Sequence, residues 1–327
     1  MKPYVFGACV QGFSHIRSGT QCQDNRLDME LGSGVRVLSV ADGHGSKSCP
    51  YSADGSKIAA GVFCKVMKEQ YEGYANGPEP ENGLKLLPTY LNQEGSVRIA
   101  QIIEQEWKEV VLAKHQHDER EPKREEASEA EIYRLYGTTL LGLLIAPEFV
   151  FAFQIGDGDI MYVDAQGAQP VVQGDKLLGV ESHSLCSKDA WKRAVSTLRI
   201  RPWDEGMPYA YLLSTDGFAN SFVDEAEFAK TCTQYFDMLN NYGVRAVEAN
   251  LPGWLEETSR LGCGDDTTVE LAWFGPEAPP APEEAEPEAA GDTAPAPEEA
   301  EAAHLPDEAQ EECLTTPEIP EEQEETE

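Results

Sequence analysis

Asp42 and His44 stand two positions apart where an apolar segment ends, in Asp42-Gly43-His44-Gly45. The preceding residues 37–41 are apolar and favour a β-strand, which would carry both side chains to the rim of a sheet. The glycines allow a sharp turn and the close approach of a ligand. Asp is an oxygen ligand suited to Mg²⁺ or Mn²⁺, and His transfers protons near neutral pH. By itself, however, an Asp-Gly pair after a strand is more often an ordinary turn.

Further aspartates share this setting, each beside a glycine or in a loop next to a predicted strand: Asp24, Asp157, Asp216 and Asp265. If their strands are neighbours, the carboxylates meet at one rim and raise one another's pKa values. Divalent cations would remove this repulsion, and two ions roughly 3.5–4 Å apart can hold a bridging hydroxide and clamp a phosphoryl oxygen. The chain has no Cys-x-x-Cys pair, so hard ions are favoured over zinc.

The segments that carry these residues follow the order found in the metal-dependent Ser/Thr protein phosphatases of type 2C. The chain resembles this family over roughly residues 5–275, and Ser14-His15 and Cys22-Gln23-Asp24 resemble its bacterial branch. The matching segments are Gln23-Asp24, Val40-Ala41-Asp42-Gly43-His44-Gly45, Gly137-Thr138-Thr139, Ile155-Gly156-Asp157, Ser214-Thr215-Asp216-Gly217 and Gly264-Asp265-Asp266-Thr267-Thr268.

The resemblance implies an α+β fold, a four-layer α-β-β-α sandwich of two antiparallel sheets flanked by helices. It also implies hydrolysis of phosphoserine and phosphothreonine in proteins by hydroxide activated at two Mn²⁺ or Mg²⁺ ions, with a possible third ion. His44 would be the general acid that protonates the departing oxygen. The implied ligands are Asp24 (directly or through water), Asp42 (bridging both ions), Gly43 (through its carbonyl), Asp157 (the weaker third ion), Asp216 and Asp265.

The chain departs from the family pattern where phosphate would bind. Many relatives have an arginine five residues before the first aspartate, where this chain has Gly19, and Arg17 or His15 is a candidate replacement. Gln23 and Asp266 also differ from the usual residues and are expected directly behind the ligands. The missing arginine leaves open a non-catalytic phosphoprotein-binding module of the same fold. A metal-dependent hydrolase of small phosphate esters is a further alternative.

Composition divides the chain into a phosphatase-like domain at 1–276 and an acidic tail at 277–327. The tail holds 19 acidic residues and no Lys or Arg, and its many Pro, Ala and Glu residues predict disorder. Within the domain, residues 73–96 and 113–131 are predicted to be insertion loops, and residues 190–198 a short helix. Residues 171–203 correspond to the family's variable flap, where Arg193, Arg199 and Arg201 are candidate substrate contacts but are expected to be solvated charges.

The formal charge of −34 argues against nucleic acid as a partner, because no basic stripe is available to displace counterions. No apolar stretch is long enough to span a bilayer, and no secretory signal is recognised. We therefore expect a cytoplasmic, monomeric protein with eight free thiols, and phosphorylated proteins, the products of a Ser/Thr kinase, as its substrates.

Overall fold

The computed structural model describes residues 2–32, 34–172, 183–201 and 207–276. These residues form two antiparallel sheets of five strands each. In spatial order the first sheet contains β1 (Tyr4–Val10), β10 (Thr267–Phe274), β9 (Tyr209–Ser214), β6 (Asp159–Asp164) and β7 (Gly167–Pro170). The second contains β2 (Asn25–Gly32), β3 (Val35–Ala41), β4 (Leu140–Ile145), β5 (Phe149–Ile155) and β8 (Val195–Ile200).

Helices cover the outer face of each sheet. The helices are α1 (Phe13–Ser18), α2 (Ser52–Ala75), α3 (Pro80–Glu94), α4 (Ala100–His117), α5 (Glu129–Arg134), α6 (Asp216–Ala219), α7 (Glu225–Tyr242) and α8 (Val244–Leu261), with a π-helical turn at Gly95–Ile99 and a 3₁₀ turn at Ala190–Arg193. The second sheet packs on α2, α3 and α4, and the first sheet packs on α7 and α8.

Successive side chains along each strand point to opposite faces of its sheet, and each face packs against a different layer. In β3, Val37 packs toward the helices while Leu38 and Val40 pack between the sheets. Both faces are therefore apolar, which explains the unbroken hydrophobic runs in the sequence. The predicted four-layer α-β-β-α sandwich is confirmed. Within the described part of the chain, no helix combines the length and the apolarity that a membrane span requires.

The predicted insertion loop at 73–96 is largely helical, and the one at 113–131 begins and ends in helices. Leu87 and Leu91 on α3 are fully buried in the helix-covered core, although the Gly, Pro and Asn content of residues 73–96 had indicated a loop. In residues 113–131, α4 continues to His117, and His115 is 2% exposed although it lies in a segment predicted to be an insertion loop. The His115 imidazole contacts the Tyr136 hydroxyl (3.2 Å) and the Pro122 carbonyl oxygen (2.8 Å). Local composition could not reveal these tertiary partners.

The segment before β9 also differs from expectation. Residues 190–193 form only a 3₁₀ turn, and residues 195–200 pair with β5 as an edge strand instead of continuing a helix. Arg201 is buried, and its guanidinium donates hydrogen bonds to Tyr209 Oη and to the Ala146 carbonyl oxygen, both at 3.0 Å. Residues 173–182 and 202–203 of the predicted flap, and the acidic tail from 277, lie outside the described residues.

A glycine on β4 allows α2 to pack closely on the sheet. A Cβ at Gly142 would lie 2.2 Å from Cε1 of the fully buried Phe63. We expect Gly142→Ala to lower the free energy of unfolding by about 1–3 kcal/mol through overpacking. Gly61→Ala, inside α2 with no atom within 4 Å of the added carbon, should instead raise it by up to about 1 kcal/mol. Urea denaturation of both variants measures these changes. Equal changes in the free energy of unfolding would contradict the prediction.

Glu270 is a buried acid between the sheets. Arg26 Nε lies 2.9 Å from Glu270 Oε2, but among the described residues neither carboxylate oxygen accepts a hydrogen bond. Burial raises the pKa of Glu270 to about 8, although the guanidinium opposes this. The folded state therefore holds the proton more tightly than the unfolded chain does. This contribution to stability is complete below pH 4.5, the ordinary pKa of the group, and is lost as pH rises through the folded-state pKa.

We therefore expect Glu270→Gln to gain stability relative to the wild type as pH rises from about 5 to about 8. The gain should reach up to about 1.4 kcal/mol per pH unit, because one proton is released. Urea unfolding at several pH values measures it. Glu248→Gln, at an exposed position on α8, is the control. A difference between Glu270→Gln and the wild type that stays constant over this pH range would refute the prediction.

Candidate active site

Asp42 follows directly after β3 and is held by two threonines from the segment before β4. Its backbone N–H donates to Thr139 Oγ1 (3.0 Å), and its carbonyl oxygen accepts from Thr138 Oγ1 and from the Thr139 N–H (both 2.8 Å). The adjacent Gly43 has no room for a side chain, since a Cβ would lie 2.7 Å from the Ser52 carbonyl oxygen. These contacts orient the Asp42 carboxylate at the end of the sheet.

Asp24 precedes β2 and is buried. Its Oδ2 accepts hydrogen bonds from Thr215 Oγ1 and Thr268 Oγ1, both at 2.8 Å. Thr215 follows β9 and Thr268 lies in β10, and both strands belong to the other sheet. The Thr268 N–H donates a hydrogen bond to Thr215 Oγ1 (3.0 Å). One carboxylate therefore joins both sheets at the end where the candidate site lies.

Asp216 and Asp265 lie on neighbouring segments of the first sheet. Asp216 opens α6, directly after the loop that follows β9, and Asp265 precedes β10. Gly217 allows the two segments to approach, because a Cβ there would lie 2.0 Å from the Asp266 carbonyl oxygen. Asp157 lies in the turn from β5 to β6, where the chain passes from one sheet to the other.

These side chains open onto one cleft of about 320 Å³. The cleft contains four of the five predicted aspartate ligands, while Asp24 lies behind them in the protein. Among the described residues, its lining includes no lysine or arginine. The lining residues are His15, Gln23, Asp42, Gly43, His44, Gly45, Ser46, Thr139, Asp157, Asp216 and Asp265.

Burial and mutual repulsion perturb the carboxylates. Desolvation raises the pKa of Asp42 well above its usual range, and the nearby Asp24 and Asp216 carboxylates raise it further. Burial likewise raises the pKa of Asp24 well above its usual range, against the lowering effect of its two threonine partners. Burial raises the pKa of Asp216, a hydrogen bond to Asp42 lowers it, and Asp157 raises it again. Bound cations would stabilise the ionised form of these carboxylates by offsetting their desolvation and mutual repulsion.

His44 lies on the same cleft, beside the aspartates. Its backbone N–H donates to the Gly137 carbonyl oxygen (3.1 Å). A Cβ on Gly137 would lie 2.6 Å from the His44 ring carbon Cδ2, so this glycine leaves space for the imidazole. The ring is half-buried, which permits contact with a ligand in the cleft.

The two candidate phosphate-binding residues lie in different surroundings. His15 lines the cleft, with its Nδ1 2.9 Å from Asp266 Oδ1 and its Nε2 3.7 Å from Asp265 Oδ1. Arg17, two residues further along α1, is exposed and does not line the cleft. Asp266 is buried and also accepts from the Gly12 N–H (2.7 Å) and the Gln23 N–H (2.6 Å). It therefore fixes His15 and the segment that leads to Asp24.

The residues of the cleft fit divalent cations. The donors facing it are mainly carboxylate oxygens, which suit Mg²⁺ or Mn²⁺. Three of the aspartates concerned have raised pKa values, so a cation would relieve an electrostatic cost that the protein otherwise carries. The sequence predicted no role for the threonines that hold Asp24 and Asp42. All four lie in segments that match the family pattern, and this is the signal that could have singled them out.

Solved structures share this architecture. Stp1 of Staphylococcus aureus is 13% identical and aligns with a TM-score of 0.52 over 84% of this chain and 96% of that chain. PstP of Mycobacterium tuberculosis is 14% identical, with a TM-score of 0.50 over 84% and 100%. The catalytic domain of PstP in complex with two manganese ions is 15% identical, with a TM-score of 0.50 over 83% and 97%. At these identities the likeness shows the fold alone.

A family model assigns the chain more directly. Residues 11–256, well over half of the sequence, match the model described as Protein phosphatase 2C. No curated protein sequence matches. The matched range contains the two strand ends that carry Asp42 and Asp216, and the observed sandwich is the architecture that the resemblance implied. The chain therefore belongs to the protein phosphatase 2C family, the metal-dependent protein-serine/threonine phosphatases.

Proposed function

We propose that this cleft hydrolyses phosphoserine and phosphothreonine side chains of proteins phosphorylated by a Ser/Thr kinase. The observation that carries the proposal is the convergence of Asp42, Asp157, Asp216 and Asp265 on one cleft beside His44. A cleft so rich in carboxylates, with no lysine or arginine among its described lining residues, would repel a phosphate on its own. Bound cations reverse the sign of that field.

In this proposal Asp42, the Gly43 carbonyl, Asp216 and Asp265 hold two Mn²⁺ or Mg²⁺ ions, and Asp24 supports them from behind or through water. Asp157 holds a third, weaker ion. Bound together, such ions supply an activated water nucleophile and neutralise charge on the phosphoryl oxygens. The two manganese ions in the PstP structure support the first two ions of this proposal.

The remaining roles belong to the protein. His44 donates a proton to the departing serine or threonine oxygen, because its imidazole borders the cleft beside the aspartates. Thr138 and Thr139 orient Asp42, while Thr215 and Thr268 orient Asp24. Asp266 holds His15 against the cleft. Gly43 and Gly45 let the loop that carries Asp42 and His44 pack closely on Ser52 and Gln23, because a Cβ at either glycine would lie less than 3 Å from one of these residues.

We propose further that His15, and not Arg17, contacts the substrate phosphate. We expect His15→Gln to raise KM for a phosphothreonine peptide by about tenfold, corresponding to about 1.4 kcal/mol for a lost hydrogen bond to a charged group. Arg17→Gln should change KM less than twofold, because Arg17 is exposed away from the cleft lining. Steady-state kinetics compare the two. A larger effect from Arg17→Gln would reverse the assignment.

The proposed function is tested by phosphate release from a phosphothreonine peptide by the full chain with and without manganese. We expect turnover that requires the metal and that EDTA abolishes. Tight peptide binding without turnover at millimolar manganese would instead favour the phosphoprotein-binding module. Faster turnover of nucleotides or sugar phosphates than of phosphopeptides would favour the small-ester hydrolase.

A further inference from the structure

Two cysteines lie in contact at the side of the site that carries Asp24. Cys9 is on β1, and Cys22 is in the loop between α1 and β2, with their sulfur atoms 3.6 Å apart. Cys9 is exposed and Cys22 is half-buried, so solvent reaches the pair. We propose that Cys9 and Cys22 form an oxidation site, which a hydroperoxide converts to a reversible disulfide.

The geometry requires little movement. A disulfide has an S–S length of about 2.05 Å, so the sulfurs must approach by about 1.5 Å. β1 is an edge strand, paired with β10 on one side only. Residues 20–24 form no helix or strand, so the loop carrying Cys22 can adjust while β1 stays in its sheet.

The chemistry balances with hydrogen peroxide as the oxidant. The exposed Cys9 sulfur attacks one peroxide oxygen; an S–O bond forms, the O–O bond breaks, and the leaving hydroxide takes the thiol proton as water. The Cys22 sulfur then attacks the resulting sulfenic acid. The S–S bond forms as the S–O bond breaks, and the hydroxyl leaves with the second thiol proton as a second water. Two sulfurs are each oxidised by one electron, and the peroxide is reduced by two.

The pair touches a proposed metal-site residue through the main chain. The Asp24 carbonyl oxygen lies 3.6 Å from Cys9 Sγ and 3.9 Å from Cys22 Sγ. The Asp24 side chain is fixed at its other end by Thr215 and Thr268. Drawing Cys22 toward β1 would therefore displace the Asp24 main chain relative to its anchored carboxylate. Oxidation is expected to weaken metal binding.

The crosslink is tested by peptide mapping of the full chain after treatment with hydrogen peroxide and alkylation of the remaining thiols. Trypsin separates the cysteines into the peptides 1–17 and 18–26, since the Lys2-Pro3 bond resists cleavage. We expect these two peptides to be joined with a loss of two hydrogens, and dithiothreitol to release them. Cys9→Ser and Cys22→Ser should each abolish the joined peptide, while Cys263→Ser, at another exposed cysteine, should retain it.

Peptides 1–17 and 18–26 that stay separate, or cysteines that stop at sulfinic or sulfonic acid, would overturn the proposal. The effect on metal binding rests on the proposed function and is measured separately, by calorimetric titration with Mn²⁺. We expect oxidation to weaken manganese binding about tenfold in the wild type and to leave Cys22→Ser unchanged. A crosslinked protein with unaltered manganese affinity would refute the link to the metal site while leaving the disulfide established.

Discussion

Asp42→Asn is expected to lower kcat for a phosphothreonine peptide by about 10³-fold or more. Asp42 is the proposed ligand shared between both ions, and a neutral amide binds a hard cation more weakly than a carboxylate does. Metal ions contribute several kcal/mol of charge stabilisation in such reactions, and each 1.36 kcal/mol corresponds to a factor of ten in rate. Steady-state kinetics across a manganese titration measure the loss.

The same substitution should stabilise the metal-free protein. Asp42 has a raised pKa because it is desolvated beside Asp24 and Asp216, so at neutral pH its carboxyl opposes folding. Asn removes this cost, and the melting temperature of the variant in EDTA should equal or exceed that of the wild type. The matched control is Asp237→Asn, at an exposed position on α7, which should alter neither the rate nor the melting temperature. Retained activity in Asp42→Asn would refute the proposed metal site.

His44→Asn is expected to lower kcat by about 10²–10⁴-fold on a phosphothreonine peptide, the usual contribution of a general acid. KM should change little, because the proposed role is proton donation to the departing oxygen rather than substrate binding. The effect should depend on the leaving group. Nitrophenyl phosphate releases a stabilised phenolate that needs no proton, so the variant should lose far less activity with that substrate.

This comparison separates proton donation from damage to the metal centre. A defective metal centre would slow both substrates equally, whereas loss of the acid slows only the one with the poor leaving group. Manganese binding by calorimetry should be unchanged in His44→Asn. Equal losses on both substrates would assign His44 a structural or ligand role instead.

Much of the candidate site could be predicted from sequence because its signals are local. A β-favouring run that ends in Asp-Gly predicts a carboxylate at a strand end from a few adjacent residues, as at Asp42 and Asp216. The sandwich followed from the order of such segments in a known family. By contrast, the predicted loops at 73–96 and 113–131 did not anticipate helix α3 or the burial of His115. Their partners, such as the Tyr136 hydroxyl, are distant in sequence, and local composition there resembles a loop.

The sequence by itself determined the chemistry available to this protein: clustered carboxylates, a histidine beside them, and no soft metal-ligand pattern. Tertiary structure decided which groups act together. Asp24 is held by Thr215 and Thr268, which are 191 and 244 positions away in the sequence. His15 faces the cleft while Arg17 does not, and Cys9 contacts Cys22 across a loop. Side-chain type is a property of each position alone. Proximity depends on how the two sheets pair and pack, which no short stretch of sequence contains.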